Sequence, residues 1–394
     1  MKVTIFLCLL YHSVSLGVVI YEYEITKKGY SLTMDVGQPM QRCEKSIDLA
    51  INYTWTTPIF YSPKKSSSYS EGPRIDIHLI DPDTLDLYSG TIGYDYFYIR
   101  NYKMRLPFFF TKDVSIHRHY SEAFGFAFYF FDEEFSIVHH LYKKKITDDL
   151  KFSFTEQKDG KGNVYIGGTP DISSYLYKGN CSVNESYTSW GCNIDKVIMS
   201  RYEKGNDKII NVINVNHTYA FFQSSQHMIY VPEKFIMFLV NNTFKEFIKK
   251  SYCEYHERFA YNDDGITCNC DVVSKLPNIS FVIGGYQYKI EPFYLFQFYD
   301  DSLCEFLIAS NPYKTVYWMF GYVFFERFVS VFDYKRKEIS FYSKLPIIEK
   351  YTEKNYEMIR LIYIINFCIM IIYLVYIMLR KFFQVPFLDL ALTL

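Results

Sequence analysis

The sequence predicts an all-β fold. From about residue 20 to 343, short runs rich in Val, Ile, Tyr and Phe alternate with turn signals such as Gly-Gly at 167 and at 284. Aromatic residues make up 20% of the chain, with 39 Tyr and 36 Phe, and this composition favours strands over helices. At 394 residues the chain exceeds the usual domain size, so two domains or one large two-lobed domain is expected.

One segment has helical periodicity. Residues 233 to 250 follow Pro232, and their apolar positions recur at spacings of three and four. These positions predict one continuous helix with an apolar face made of Phe235, Ile236, Leu239, Val240, Phe244, Phe247 and Ile248.

A weak internal repeat links the two halves of the chain. Residues 123–126 read Ala-Phe-Gly-Phe and residues 319–322 read Met-Phe-Gly-Tyr, so both carry two apolar residues, Gly and an aromatic residue. The repeat suggests two related lobes.

The N-terminal segment has the layout of a cleavable secretory signal. Residues 1–17 combine Lys2, an apolar run from Val3 to Leu10, and small residues at Ser15 to Gly17. We therefore expect the chain to enter the secretory pathway.

A second apolar segment lies near the C-terminus. Residues 361–379 contain no charge and are followed by Arg380 and Lys381, which predicts a membrane span over 358–379. The alternative, a buried helix of a soluble domain, is disfavoured because the basic pair fits the cytoplasmic side of a membrane. The prediction is a single-pass type I membrane protein with a stalk at 344–357 and a cytoplasmic tail at 380–394.

Seven of the nine cysteines fall between the signal and the span, in an oxidising compartment. We expect the pairs Cys181–Cys192, Cys253–Cys268 and Cys270–Cys304, with Cys43 free or cross-linked. Asn-x-Ser/Thr glycosylation acceptors begin at Asn52, Asn180, Asn184, Asn216, Asn241 and Asn278.

Several functions are disfavoured by composition and motifs. The formal net charge is −1 and the charges are mixed along the chain, so no nucleic-acid partner is expected. No metal is expected, since His139-His140 and the pair His117 and His119 lack compact Cys/His ligand spacing and fit solvated loops. No cofactor is expected either, because the chain has no glycine-rich phosphate loop.

A series of short motifs runs in order along residues 28–343. In the second half these are Cys270 to Pro277, Ile283-Gly284-Gly285 and the block from Trp318 to Phe328. In the first half they are Val36 to Gln41, Tyr61-Ser62-Pro63, Gly90 to Asp95 and Gly162 to Gly168. Together these motifs resemble the pepsin-like aspartic proteases, family A1. The resemblance implies a bilobed all-β fold with a cleft between an N-terminal lobe at 18–180 and a C-terminal lobe at 181–343.

The family's chemistry uses two facing aspartates. They share a proton because two carboxylates about 3 Å apart cannot both ionise. One carboxylate activates water and the other gives a proton to the cleaved peptide. Each aspartate normally opens an Asp-Thr/Ser-Gly turn, in which the hydroxyl braces the opposite loop.

The resemblance assigns Asp48 to the first position, because its spacing to Trp55 fits the family. Asp48 is followed by Leu49 and Ala50 instead of the family's hydroxyl residue and glycine. The second position falls on Gln223, followed by Ser224 and Ser225. Residues 208–262 contain no aspartate, so no nearby register restores the pair.

The resemblance thus implies a catalytically inactive protease homologue, which binds polypeptides in or around its cleft. The alternative is an active or altered aspartic endopeptidase in which Asp48 works with another acid. In the segment that covers the substrate, Leu79 takes the place of the family's tyrosine, although Tyr88 lies close by. Ala50, Leu79, Ser224 and Ser225 are the expected substrate contacts, and a glycan on Asn52 would obstruct the cleft.

Overall fold

The protein is built mainly from β-strands, as its aromatic and β-branched runs predict. The computed structural model describes residues 17–26, 29–51, 53–78, 87–112, 122–128, 135–156, 160–186, 189–203, 206–259, 263–299, 302–311 and 316–344.

Eleven strands lie in the first half of this range: β1 Val19–Thr26, β2 Gly29–Val36, β3 Gln41–Asp48, β4 Trp55–Thr56, β5 Ser70–His78, β6 Leu87–Ile99, β7 Tyr102–Phe110, β8 Ala123–Gly125, β9 Lys151–Glu156, β10 Lys161–Ile166 and β11 Tyr175–Ser182. The remaining described strands are β12 Gly191–Glu203, β13 Asn206–Phe222, β14 Ile229–Val231, β15 Cys253–Phe259, β16 Asp263–Asn269, β17 Asn278–Ile283, β18 Tyr286–Ile290, β19 Phe296–Phe298, β20 Leu303–Phe306, β21 Ile308–Ser310, β22 Trp318–Phe320, β23 Phe328–Asp333 and β24 Glu338–Lys344.

Helices are short. The α-helices of the described residues are α1 Ile137–Lys143, α2 Glu233–Phe238, α3 Lys245–Lys249 and α4 Tyr322–Arg327. A π-helix over Leu239–Thr243 connects α2 to α3. Short 3₁₀-helices lie at Pro63–Lys65, Ile172–Ser174, Cys270–Lys275 and Pro292–Leu295. The predicted helix over 233–250 is therefore present but is interrupted by a π turn.

Within the described residues the strands form three sheets. The largest contains β1 to β11 together with β23 and β24, and the other two contain β12 to β22. The change of sheet falls between Ser182 and Gly191, whereas the predicted lobe boundary at 180/181 lies inside β11. Strands β23 and β24 return to the first sheet and lie between β11 and β9, so this sheet joins the two halves of the chain.

Aromatic side chains pack the junction of the halves. Phe152 on β9 stacks on Phe332 of β23 at a centroid distance of 4.8 Å. The buried Trp190 meets Phe332 edge-on at 5.1 Å and donates from Nε1 to the Phe126 carbonyl at 2.7 Å. The aromatic excess of the sequence therefore serves strand packing, which is where large apolar rings contribute most to stability.

Three disulfides are present and join the pairs expected from the sequence: Cys181–Cys192, Cys253–Cys268 and Cys270–Cys304. Cys43 is free and buried, and burial raises the pKa of its thiol to about 11.

The predicted signal over 1–17 lies almost wholly outside the described residues, and the stalk beyond Lys344, the span at 358–379 and the tail lie entirely outside them. Within the described part of the chain, we find no helix with the length and apolar character needed to span a membrane.

Candidate active site

The first loop of the site begins where β3 ends at Asp48. Strand β3 pairs with β2 on one side and runs parallel to β8 on the other, with Ile47 opposite Phe124 and Asp48 opposite Gly125. The Asp48 carbonyl accepts a hydrogen bond from Phe126 N at 2.8 Å. A Cβ on Gly125 would lie 2.6 Å from the Ile51 carbonyl oxygen, so the close approach of the two chains requires glycine.

The second loop repeats this arrangement. Strand β13 ends at Phe222, which lies opposite Phe320 in the parallel strand β22. Gln223 follows and donates from its backbone to the Phe320 carbonyl at 3.0 Å. By register Gln223 lies opposite Gly321, as Asp48 lies opposite Gly125, so the predicted repeat is a structural one.

A buried hydrogen bond from Ser224 connects the second loop to the first. Oγ of Ser224 donates to the carbonyl oxygen of Ile47 at 2.5 Å, and both groups are buried. Leu49 is the residue that follows Asp48, as Ser224 follows Gln223, but its side chain is fully buried in the main apolar core. An apolar side chain cannot donate, so the reciprocal bond from the first loop to the second is not made.

Asp48 is buried, and burial raises the pKa of its carboxyl above the ordinary value because desolvation disfavours the anion. Three hydrogen bonds act in the opposite direction, from the Ser225 hydroxyl and from the backbone amides of Ala50 and Ile51. The Ala50 amide lies 2.8 Å from Oδ1 of Asp48. The contact with Ser225 brings the two loops together at the carboxyl group itself.

A buried ion pair supports the first loop. Nζ of Lys45 lies 3.2 Å from Oε2 of Glu122, with side-chain exposures of 1% and 0%. Lys45 also donates to the Trp55 carbonyl at 2.8 Å. Glu122 accepts from the hydroxyl of Thr56 at 2.5 Å and from the amide and hydroxyl of Thr57 at 2.6 and 2.7 Å. This network ties β3 to the residues that precede β8.

Sequence reasoning missed this pair, although one signal was available. Cys43, Lys45 and Ile47 alternate along β3 and all point to the buried face, so a charged residue at the middle position requires a buried partner.

His227 lies beside the second loop and was also missed. Its ring stacks on that of Tyr322 at a centroid distance of 4.1 Å, and its Nε2 shares a hydrogen bond with the Tyr322 hydroxyl. Desolvation lowers the pKa of His227 to about 4, so the imidazole is neutral over most of the acidic range.

The remaining predicted site residues are dispersed. Ala50 is buried and contributes its backbone amide, whereas Leu79 and Asn52 lie outside the described residues. His139 and His140 lie on α1, while His117 and His119 fall outside the described ranges.

Among the described glycosylation acceptors, Asn241 is exposed and Asn184 is partly exposed. The side-chain amide of Asn180 donates to Glu338 at 3.2 Å. That of Asn278, which is buried on β17, donates to Asp207 at 3.4 Å. Asn216 lies on β13.

The fold and the paired loops define a class of protein, and comparison with known families agrees with it. The family model described as eukaryotic aspartyl protease matches residues 30–344. The chain belongs to the eukaryotic aspartyl protease family. A search of curated proteins finds no match.

Proposed function

We propose that this chain is a membrane-anchored, pepsin-like aspartic protease homologue that no longer cleaves peptides and binds polypeptides in or around its inter-lobe cleft. The observation that carries the proposal is the register of the two loops. Gln223 stands opposite Gly321 as Asp48 stands opposite Gly125, so Gln223 is the candidate replacement for the second aspartate.

An amide at this position removes the acid–base chemistry. Gln carries a carbonyl acceptor and an NH₂ donor but does not ionise, so it cannot share or deliver the proton that the paired carboxylates exchange. Loss of a positioned acid or base costs about 10²–10⁴ in rate. Asp48 alone is left to activate water.

Two further features support inactivity. Leu49 leaves the connection between the loops one-sided, since the side-chain bonds described between them come from Ser224 and Ser225 of the second loop. Ser225 follows Ser224 at the position of the family's glycine, and its hydroxyl is bonded to the Asp48 carboxyl. A hydroxyl in this position competes with a water molecule for the same carboxyl oxygens.

The proposed location rests on other observations. The three disulfides support an oxidising compartment. The apolar N-terminal segment and the uncharged run at 361–379 support secretory targeting and a type I anchor with the β-rich region outside the cytoplasm. An extended polypeptide bound in the cleft would add its backbone hydrogen bonds to those of the flanking strands.

Proteolysis of an unfolded protein by the purified full-length chain tests the proposal from pH 3 to 7. We expect no cleavage by the wild type or by Asp48→Asn, and a gain of cleavage in Gln223→Asp, greater when Ser225→Gly is added. Gln226→Asp is the matched control, because it places a carboxylate three residues further along the same loop. This variant should show no proteolysis. Cleavage by the wild type that Asp48→Asn abolishes would refute inactivity.

One observation favours a second candidate, an altered aspartic endopeptidase. Asp48 is retained and buried, and its pKa is raised, which are properties of a proton donor in an acidic compartment. In that case the wild type would cleave with an acid optimum, and pepstatin would inhibit it.

A further inference from the structure

The described chain ends beside an exposed group of aromatic and apolar residues. The last strand, β24, ends at Lys344, and within the described residues β11 pairs only with β24. In this pairing Leu176 lies opposite Ser343, and Tyr177 lies opposite Tyr342. Strand β11 is therefore a sheet edge at the point where the chain continues toward the predicted span.

Two large side chains near this edge are exposed. Tyr177 on β11 is 47% exposed and Tyr286 on β18 is 43% exposed. The ring of Tyr177 lies 6.5 Å from that of Tyr286 and 5.4 Å from that of Tyr342. Leu176 is also 46% exposed, but as the neighbour of Tyr177 on a strand it points to the opposite face. We call Tyr177 and Tyr286 the C-terminal aromatic surface.

The backbone holds the Tyr286 ring in place. Gly179 has a φ of +136°, and the pairing register shifts between Tyr177 and Gly179. A Cβ on Gly179 would lie 2.2 Å from Cγ of Tyr286, so the ring lies directly over the glycine backbone. This packing fixes an exposed tyrosine ring beside the end of the domain.

A second exposed aromatic pair is connected to the same end of β24. Phe328 pairs with Ser343 of β24. The preceding residue, Arg327, has its guanidinium 4.9 Å from the centre of the Tyr294 ring. Next to Tyr294, the 65% exposed Phe293 has its ring 5.1 Å from that of Phe298.

The length of the connecting segment limits how far this surface can be from a membrane. Residues 345–357 separate Lys344 from the predicted span, and thirteen residues reach at most about 45 Å when fully extended. A tether of this length gives an effective concentration on the order of millimolar, so even weak contacts with the bilayer are populated. Tyrosine is enriched at the level of lipid headgroups, where its apolar ring and polar hydroxyl are both satisfied.

We propose that the C-terminal aromatic surface lies against the headgroup region of the membrane that anchors the chain. This inference rests on the proposed membrane anchor. The occupant is the lipid surface, because Tyr177 lies opposite Tyr342, two residues before the end of β24, from which the chain leads to an uncharged nineteen-residue run. Among the described strands β11 has a partner on one side alone, and contact with the bilayer also covers its other side, which would otherwise be open to pairing with other chains.

Fluorescence quenching by lipid tests this inference. The natural tryptophans Trp55, Trp190 and Trp318 are all buried, so a tryptophan introduced at the surface reports its own surroundings over a constant background. The full-length Tyr286→Trp variant is reconstituted in phosphatidylcholine vesicles with plain or brominated acyl chains. We expect bromination to reduce the added emission about twofold. Tyr177→Trp is a second reporter if Tyr286→Trp does not fold.

The matched control is Tyr202→Trp at the end of β12, where the native side chain is 68% exposed and should remain unquenched. An unquenched Tyr286→Trp chain that floats with the vesicles overturns the inference and leaves the anchor intact. Blue-shifted but unquenched added emission from the Tyr286→Trp variant also overturns it, since protein rather than lipid then covers the site. A chain that does not float with the vesicles refutes the anchor itself, and the inference with it.

Discussion

The buried Lys45–Glu122 pair should respond strongly to removal of one partner. Replacing Lys45 by Met keeps a side chain of similar length but leaves the Glu122 carboxylate without its cation at zero side-chain exposure. Two unit charges 3.2 Å apart attract by about 5 kcal/mol at an effective dielectric constant near 20. Breaking such a pair typically costs about 3–5 kcal/mol, because the remaining charge stays buried.

The structure predicts that removing both charges is milder than removing one. In the Lys45→Met/Glu122→Gln double variant no uncompensated ion remains, and the new amide can still accept hydrogen bonds from Thr57. We therefore expect the double variant to recover most of the free energy of unfolding that Lys45→Met loses.

Urea unfolding of the full-length chain, followed by the fluorescence of its buried tryptophans, measures these differences. The control is Lys161→Met, since Lys161 lies 3.1 Å from Glu24 but both side chains are largely exposed. Exposed pairs contribute at most about 1 kcal/mol. The reasoning is refuted if Lys45→Met costs no more than Lys161→Met, or if the double variant is as unstable as the sum of the single ones.

Three further predictions concern the loops. Burial raises the folded pKa of Asp48, so the folded state binds this proton more tightly than the unfolded chain does. The free energy of unfolding should therefore fall by up to about 1.4 kcal/mol per pH unit as the pH rises above the ordinary carboxyl pKa. Asp48→Asn should remove this slope in urea midpoints measured from pH 4 to 7, and an unchanged slope would contradict the assignment. His227 has the opposite effect, because its folded pKa of about 4 means that the unfolded chain binds this proton more readily. Stability should therefore fall as the pH drops below about 6.5, and His227→Asn should flatten that decline. Ser224→Ala should lower the free energy of unfolding by about 1–3 kcal/mol, because the buried Ile47 carbonyl loses its donor. A smaller loss than in Thr243→Ala, whose side chain is only partly buried, would show that the bond between the loops contributes little.

The π turn in the predicted helix has a physical cause that spacing alone does not reveal. Leu239 and Phe244 are both buried, and they lie five residues apart. In a regular α-helix residues five apart point in different directions, whereas a π turn brings them to one face. The Phe244 amide accordingly bonds to the Leu239 carbonyl at 2.9 Å. The sequence pattern was sufficient to predict a helix, but the core selected its local geometry.

The contacts at the site depend on chain segments that are distant in sequence. Asp48 and Gln223 were assigned from the resemblance to the protease family, Asp48 by its spacing to Trp55, and not from local composition or periodicity. The bond from Ser225 to Asp48 and the ion pair between Lys45 and Glu122 join residues 177 and 77 positions apart. Such contacts follow from the register of β3 against β8 and from the approach of the two loops, which composition and periodicity do not encode.

The disulfides divide the molecule into two chemically different parts. All three lie between Cys181 and Cys304, and the only described cysteine before residue 181 is Cys43. Reducing agents can therefore loosen the second half of the chain, while the described part of the first half contains no disulfide and is held by strand hydrogen bonds, packing and the buried ion pair. With a thiol pKa of about 11, Cys43 holds little thiolate at neutral pH and is a poor nucleophile toward those three bonds. The fold thus keeps the free Cys43 thiol protonated and enclosed, which protects it from oxidation in the disulfide-forming compartment that we propose.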